Sequence, residues 1–364
     1  MKITALEYRS FRNIEHAQIE PCENVNIICG DNAQGKTNLL EGIWLFTGCR
    51  SFRTSKDREL ISFKQKEARL DMGYFGFGRE QEMLLRIEAK RKFFLNGVGE
   101  LSAAKIVGEF LAVVFSPEHL SLVKAGPQER RKFIDIAISQ LKPKYASVLG
   151  YYNKALAHRN MLLKDIPYHD GLYDTLDVWE DRLAFYAGEI MTQRIGYLKL
   201  LAEHSAKIYE GISSGKERLS VAYDPSGEVT AVTKREIYDQ MKEALFASRK
   251  SDIVNGSTSV GPHRDDLKIK INDLSVRSYG SQGQQRSASL ALKLGEAAVI
   301  TSYNREQPVA LLDDVMSELD ESRQNYILNH IRDWQVFITC CDKNTVSSLK
   351  AGKVFQVRNG TVVS

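Results

Sequence analysis

Residues 27 to 42 read IICGDNAQGKTNLLEG, and within them Gly30-x-x-x-x-Gly35-Lys36-Thr37 has the residue types and spacing of a phosphate-binding loop. Glycines let backbone N–H groups close around phosphate oxygens with no Cβ in the way. Lys36 is placed to reach β- and γ-phosphates, and the Thr37 hydroxyl to hold a magnesium ion. A helix opening at Lys36 adds its positive N-terminal end. An ordinary turn can match such a pattern by chance. The apolar strand before this one and the amphipathic helix after it supply the context the motif needs. The implied ligands are a nucleotide and Mg2+.

Such a site also needs an acidic residue at a strand end to hold magnesium through water, and a group that positions the attacking water. Nothing suitable follows the loop for most of the chain. The best match is VALLDDV, where four apolar residues run into Asp313-Asp314. Asp313 is read as the magnesium-side carboxylate and Asp314 as the water-polarising one, although a longer Glu is the more usual choice there. A capped strand end with solvated acids is the plainer alternative. A third element, SYGSQGQQRS, places Ser281, Gly283 and Gln284 at a helix N-terminus. That is a second anion cradle, which makes sense if it covers the γ-phosphate bound by another copy of the chain. The plainer alternative is a serine N-cap on an ordinary helix. SELD, Ser317 to Asp320, then falls where a loop at a dimer seam is expected.

The distance between loop and acids dictates the architecture. The two chain ends must fold together, and what lies between is inserted. The expected fold class is α/β: a P-loop ATPase head made by both chain ends, with an inserted helical arm-like domain. The expected limits are 1–120 and 256–364 for the head and 121–255 for the insertion. Alternating strands are expected in MKITALEYRSFRNIEHAQIEPCENVNIICG, ARLDMGYFGFG, EMLLRIEAK and RKFFLNGVG, with Asn96-Gly97 as a hairpin turn. Helical spacing begins near Gln128, and Pro167 and Gly171 punctuate a long antiparallel hairpin. Helices of twenty-odd to forty residues span roughly 30–60 Å. RLSVAYDP, DLKIKIND, PVALLDDVMSELD and QVFITCCD read as further strands, and SQGQQRSASLALKLGEAAVITSYN as a helix. The chain has 364 residues, 43% of them hydrophobic, which is enough for a large core and about two domains. Its net charge of +4 permits an anionic partner without demanding one. The five cysteines form no C-x-x-C pair, so neither a zinc site nor a disulfide framework is suggested. With no signal-peptide pattern at Met1-Lys2-Ile3 and no membrane-spanning run, a reducing cytoplasm is expected.

The layout is that of ABC/SMC-type ATPases and argues against small GTPases and kinases; no N-K-x-D guanine motif is present. Several motifs in one order, YRSFRNIEH, GDNAQGKTNLLEGI, SFRT, FSPEHLSLVKAGPQERRKFID, GPHRDDL, YGSQGQQR and LLDDVMSELD, resemble the RecF family of bacterial recombination and repair ATPases across the whole chain. The resemblance implies an ABC-type head with an arm, ATP-dependent homodimerisation on DNA, and slow DNA-dependent ATP hydrolysis. It implies work with RecO and RecR to load RecA at single-strand gaps and duplex junctions, and with it DNA repair, replication restart, recombination and the SOS response. Carried over residue by residue, Gly30, Asp31, Asn32, Ala33, Gln34, Gly35, Lys36, Thr37 and Asn38 line the nucleotide. Ser281, Gly283 and Gln284 form the signature. Lys36, Asp313 and Asp314 serve catalysis, and Thr37 and Asp313 the metal. Arg9 or Arg12 is expected at the nucleotide near the strand edge. FSPE, Phe115 to Glu118, stands where relatives have a sensing loop, with Ser-Pro-Glu in place of the usual glutamine. ITCC ends the last core strand where transporters carry a histidine, leaving Thr339 or Cys340 for that place.

Basic clusters occur at Arg50, Arg53, Lys56 and Arg58, at Lys90, Arg91 and Lys92, and at Arg130, Arg131 and Lys132. Some of these would track DNA phosphates without reading bases. The plainer alternative is a solvated face, with Asp57, Glu59 and Glu129 nearby; the third cluster could equally meet a partner protein. No helix-turn-helix, zinc finger or RNP aromatic set is evident, so sequence-specific readout is not expected. Two other classes fit less well. A transporter's soluble subunit would lack the long helical insertion, and a purely structural SMC-like tether would need a hinge or zinc hook.

Overall fold

Period-two patterning near the N-terminus and continuous apolar strands at both ends of the chain fold into two different kinds of sheet. The computed structural model describes residues 1–54, 56–120, 122–227, 229–341 and 352–363. Asp342 of QVFITCCD lies outside them. The chain divides into two units, Met1–Ser121 with Ser289–Ser364, and Leu122–Ala288.

The first unit opens with β1 (Lys2–Phe11), β2 (Ile14–Ile19), β3 (Val25–Cys29) and α1 (Lys36–Leu45). There follow β4 (Ala68–Gly76), β5 (Arg79–Ile87), β6 (Arg91–Leu95), β7 (Val98–Leu101), α2 (Ala103–Ile106), β8 (Ala112–Phe115) and α3 (Pro117–Leu120). The second unit holds α4 (Pro127–Leu141), α5 (Pro143–Asp165), α6 (Leu176–Ile212), β9 (Leu219–Asp224), α7 (Lys234–Asn255), β10 (Asp266–Ile271), β11 (Leu274–Ser275) and α8 (Val276–Tyr279). It also holds the first turns of α9 (Gln282–Asn304). The chain ends with β12 (Val309–Leu312), α10 (Glu321–His330), β13 (Val336–Cys340), β14 (Gly352–Arg358) and β15 (Thr361–Val363). The fold is thus α/β, a head built from both chain ends with a mostly helical insertion between them in sequence.

In the first unit, β2-β1-β4-β5-β6-β7 form an antiparallel sheet whose burial alternates along β4 and most of β5, with one face on the core and one in water. The second sheet has the order β15-β14-β3-β13-β12-β8 and is parallel except for the β14–β15 hairpin. Its strands β8, β12 and β13 are buried throughout, as a sheet covered on both faces requires. β3, from the N-terminus, lies between β13 and β14 from the C-terminus. Parallel pairing puts the C-terminal ends of β3, β13, β12 and β8 on one edge, where open α/β sheets bind ligands. α1 buries Leu39, Leu40, Ile43, Trp44 and Leu45. At about 1.5–3 kcal/mol for each large apolar side chain, this anchors the loop ahead of it.

In the second unit, α5 and α6 realise the expected helical hairpin. The 37 residues of α6 make it about 55 Å long. DLKIKIND, within the stretch read as the start of the C-terminal head part, pairs as β10 with β9 from RLSVAYDP in a three-stranded sheet of this second unit. Buried charges tie the helices together. Arg159, fully buried, donates to Glu180 at 2.9 Å, Asp252 at 2.8 Å and Thr258 at 2.9 Å. Such a network fixes one packing arrangement more than it adds net stability. Among the described residues no helix is long and apolar enough to cross a membrane.

Candidate nucleotide-binding site

The loop after β3 is shaped by close backbone approach. A Cβ on Gly30 would stand 2.4 Å from the Val357 carbonyl oxygen, and Gly35 caps α1 at φ +111°, where a side chain would be strained. The outside of the loop is pinned from β14–β15 and β1–β2. The Gly360 N–H donates to the Gln34 carbonyl at 2.9 Å, and Asn38 donates through Nδ2 to Asn13 Oδ1 at 2.7 Å. Asp31, Asn32 and Ala33 form the exposed crest. Lys36 is buried and folds back over the loop, its Nζ donating to the Gly30 carbonyl at 2.6 Å and the Asp31 carbonyl at 3.1 Å, and lying 3.3 Å from Cys341 Sγ. Its ammonium thus occupies the loop through neutral acceptors. Phosphate oxygens would replace them with charge-assisted hydrogen bonds, which are roughly twice as strong.

The acids arrive on the neighbouring strand ends. β12 runs into Asp313, whose N–H donates to the Phe115 carbonyl of β8 at 2.8 Å. Thr37 Oγ1 donates to Asp313 Oδ1 at 2.8 Å, across 276 residues of sequence. Thr339, the fourth residue of β13, donates to the same oxygen at 3.0 Å, and its Oγ1 accepts from the Asp314 N–H at 2.8 Å. Asp314 takes φ +49°, the left-handed region, so the chain turns sharply between the two acids. Burial pushes the Asp313 carboxyl above the usual carboxylate range; hydrogen bonds from Thr37 and Thr339 oppose that push, and the neighbouring Asp314 adds to it. A hydroxyl and a carboxylate meeting beside a phosphate loop are the hard oxygen donors that Mg2+ takes. Among the described residues no three His, Cys, Asp or Glu side chains converge as a metal site. A magnesium ion held by Thr37 and Asp313 would therefore lean on nucleotide oxygens and water for the rest of its shell.

On the far side of β12, Ser116 is buried and its hydroxyl donates to Glu118 at 2.7 Å and lies 2.9 Å from His119 Nδ1. The Ser-Pro-Glu stretch therefore sits one strand from Asp313. Of the two candidates on β13, Thr339 faces the acids. Cys340 is turned to β3, its Sγ 2.9 Å from Cys29 Sγ. Ser317 of SELD donates to the Asp314 carbonyl at 2.8 Å, and Asp320 caps α10.

The arginines divide by their partners. Arg12 is bound bidentately to the fully buried Glu41 of α1, at 2.9 and 2.7 Å. Arg9 pairs with Glu7 on the exposed face of β1. Arg53 donates to Asn38 Oδ1 at 2.6 Å, beside Thr37. Arg130, read from sequence as part of a basic cluster, is buried, pairs with Asp266 at 2.6 Å and donates to the Ala125 carbonyl at 2.5 Å. It has no face left for a phosphate. Arg91 is largely buried and donates to the Cys49 carbonyl at 2.5 Å, whereas Arg50, Lys56, Arg58, Lys90 and Lys132 are exposed.

Ser281, Gly283 and Gln284 belong to the second unit. Ser281 is exposed, and its Oγ accepts from the Gln284 N–H at 3.2 Å while Gln284 Oε1 accepts from the Ser281 N–H at 2.8 Å. This is a reciprocal capping box at the start of α9. Gln284 Nε2 then donates to Glu217 at 2.6 Å, and the other oxygen of Glu217 accepts from Tyr209 of α6 at 2.6 Å. Sequence reasoning passed over Glu217, which none of the quoted motifs contains, and gave Asn13, inside YRSFRNIEH, no role of its own.

Comparison with known proteins gives one consistent answer. The family described as RecF/RecN/SMC N terminal domain matches residues 2–363. The DNA replication and repair protein RecF of Acetivibrio thermocellus is 40% identical over 361 residues, covering 98% of both chains. That of Clostridioides difficile is 38% identical over 368 residues, covering 100% of this chain and 98% of the relative. A solved structure of the recombination mediator protein RecF with ATPrS in the RecFOR pathway superposes with a TM-score of 0.93 at 38% identity, over 99% of this chain and 97% of that one. The Smc head of Pyrococcus furiosus bound to the C-terminal domain of ScpA shares the fold, at 16% identity and a TM-score of 0.54, over 99% of this chain and 95% of that one.

Proposed function

The chain belongs to the RecF family of DNA replication and repair proteins, ABC/SMC-type ATPases, and from that premise we propose that it is an ATP-gated clamp on DNA. ATP binds the loop from Gly30 to Asn38. Lys36 leaves the Gly30 and Asp31 carbonyls for the phosphates, and Thr37 and Asp313 hold Mg2+, which supplies charge neutralisation at the phosphates. Asp314 orients the attacking water. The signature Ser281, Gly283 and Gln284 of a second copy covers the γ-phosphate, so bound ATP joins two chains and its slow, DNA-dependent hydrolysis releases them. The DNA is single- or double-stranded, with gapped junctions the working substrate, and the contacts are to phosphates. RecO and RecR are the partners with which it helps load RecA, in the cytoplasm where the chromosome lies.

The observation that carries this reading is the 2.8 Å bond from Thr37 to Asp313, which joins the loop at one chain end to the acids at the other. Its test is DNA binding by fluorescence anisotropy, with and without ATP. ATP should tighten binding of a gapped duplex by the wild-type chain. Lys36→Arg, whose wider fork fits the loop poorly, should abolish that ATP effect and leave the ATP-free affinity unchanged. An ATP effect of normal size in Lys36→Arg contradicts the assignment.

A further inference from the structure

Thr339 lies at the strand end where transporters carry a histidine, and its hydroxyl is the atom at which the two acids meet. Its Oγ1 donates to Asp313 Oδ1 at 3.0 Å and accepts the Asp314 N–H at 2.8 Å. The residue is 1% exposed, on a strand buried along its whole length, so no solvent replaces either bond. A hydroxyl both donates and accepts, which this place requires; neither a valine nor the weakly bonding thiol of a cysteine does the same. In the absence of ligand Asp313 Oδ1 has two hydroxyl donors, Thr37 and Thr339. Thr37 is also the residue that would turn to the metal. When it does, Thr339 is the donor left to orient Asp313. Thr339 Oγ1 also anchors the N–H of Asp314 in its left-handed conformation, which a non-glycine residue adopts only when its surroundings hold it.

We propose that Thr339 is a positioning residue of the ATPase: its hydroxyl keeps the Asp313 carboxylate aimed at the metal place and holds Asp314 in register for the attacking water. This rests on the nucleotide-site reading above. It assigns the end of β13 a task that involves no contact with ATP. Losing it should therefore damage metal use and turnover and spare the binding of the nucleotide itself.

The test uses the full chain with Thr339→Val, which keeps the β-branched shape, and Thr339→Ser, which keeps the hydroxyl. A fluorescent ATP analogue measures affinity in the presence of EDTA, then the Mg2+ concentration at half-maximal enhancement of binding, and steady-state hydrolysis gives kcat. For Thr339→Val the metal-free affinity should stay within about twofold, the Mg2+ midpoint should rise several-fold, and kcat should fall about tenfold or more, the scale of a lost hydrogen bond to a charged group. Thr339→Ser should recover both to within about threefold. If Thr339→Val does not fold, Thr339→Ser against Thr339→Cys gives the same contrast between a strong and a weak hydroxyl-type donor. Normal kcat and Mg2+ midpoint in Thr339→Val, or Ser as damaged as Val (or as Cys, in the second pairing), overturn the proposal. Lys36→Ala separates the two levels. If it binds and hydrolyses ATP normally, the nucleotide-site reading falls. If it is inactive while Thr339→Val behaves as wild type, only the role of Thr339 falls.

Discussion

The loop edge of the first unit and the Ser281 to Gln284 turn of the second, both proposed above to receive phosphate, hold their polar groups in opposite ways. At the loop edge the functional groups hold one another. Lys36 is spent on the Gly30 and Asp31 carbonyls and Thr37 on Asp313, with Lys36 and Asp313 themselves buried. A nucleotide must replace those bonds, and it can, because phosphate is a stronger acceptor than a carbonyl. At the signature turn the bonds are local. Ser281 and Gln284 cap each other three residues apart on an exposed surface. The Ser281 Oγ accepts from Gln284, so its own hydrogen is left to donate. The first region has to be rearranged by its ligand, while the second is presented ready-made. In the proposed two-chain site, the first would take its ligand by exchanging bonds and the second would cover it.

The comparison can be broken at its most demanding point by Asp314→Asn. If Asp314 polarises the water, turnover should fall about 100- to 10,000-fold, the usual worth of a general base. Nucleotide affinity should be retained, because Asp314 touches neither the loop nor Thr37. Loss of affinity in parallel with rate would place Asp314 in binding instead.

Ser281→Asn sharpens the contrast next. Asparagine caps helices about as well as serine, so the thermal midpoint should be unchanged, and the chain should bind ATP normally. ATP-dependent dimerisation should weaken about tenfold if the serine hydroxyl donates across the seam. Unchanged dimerisation would mean that the turn is a helix cap and nothing more.

The smallest effect concerns the cost of the preset acid. Burial raises the Asp313 carboxyl in the folded chain, so the stability linked to it is present at low pH and lost as pH rises through the raised value. Asp313→Asn removes that titration. Without ligand the variant should melt slightly higher than wild type above the raised value, the gap closing as pH falls toward the ordinary carboxylate range. A gap that widens toward acid would reverse the sign and show that the ionised carboxylate stabilises the fold.

The same contrast explains what was legible in the sequence. The loop and VALLDDV could be read because apolar strands run straight into them, and the demand for an acid far along the chain dictated that the two chain ends fold together. Thr339 was half legible: ITCC marked the place, but only the strand register decides that Thr339 meets the acids while Cys340 meets Cys29. The signature was ambiguous for a physical reason, since the residues that cap a helix are the residues that bind an anion. α7 went unread although Thr233 and Glu236 form a capping signal and Gly256 closes it in the left-handed conformation. Its apolar stripe of Ile237, Met241 and Leu245 is thin among charges. The basic clusters misled most. Composition could not tell Arg130, consumed by Asp266, from the exposed Lys132 two positions on.

The central claim is that ATP joins two copies of this chain through Ser281. Sedimentation velocity of the wild type and of Ser281→Arg, each with and without ATP and Mg2+, tests it most directly. The account predicts a wild type that dimerises only with ATP, and a Ser281→Arg chain that binds ATP with normal affinity yet stays monomeric. A wild-type dimer indifferent to nucleotide, or a Ser281→Arg chain that dimerises as the wild type does, would contradict it.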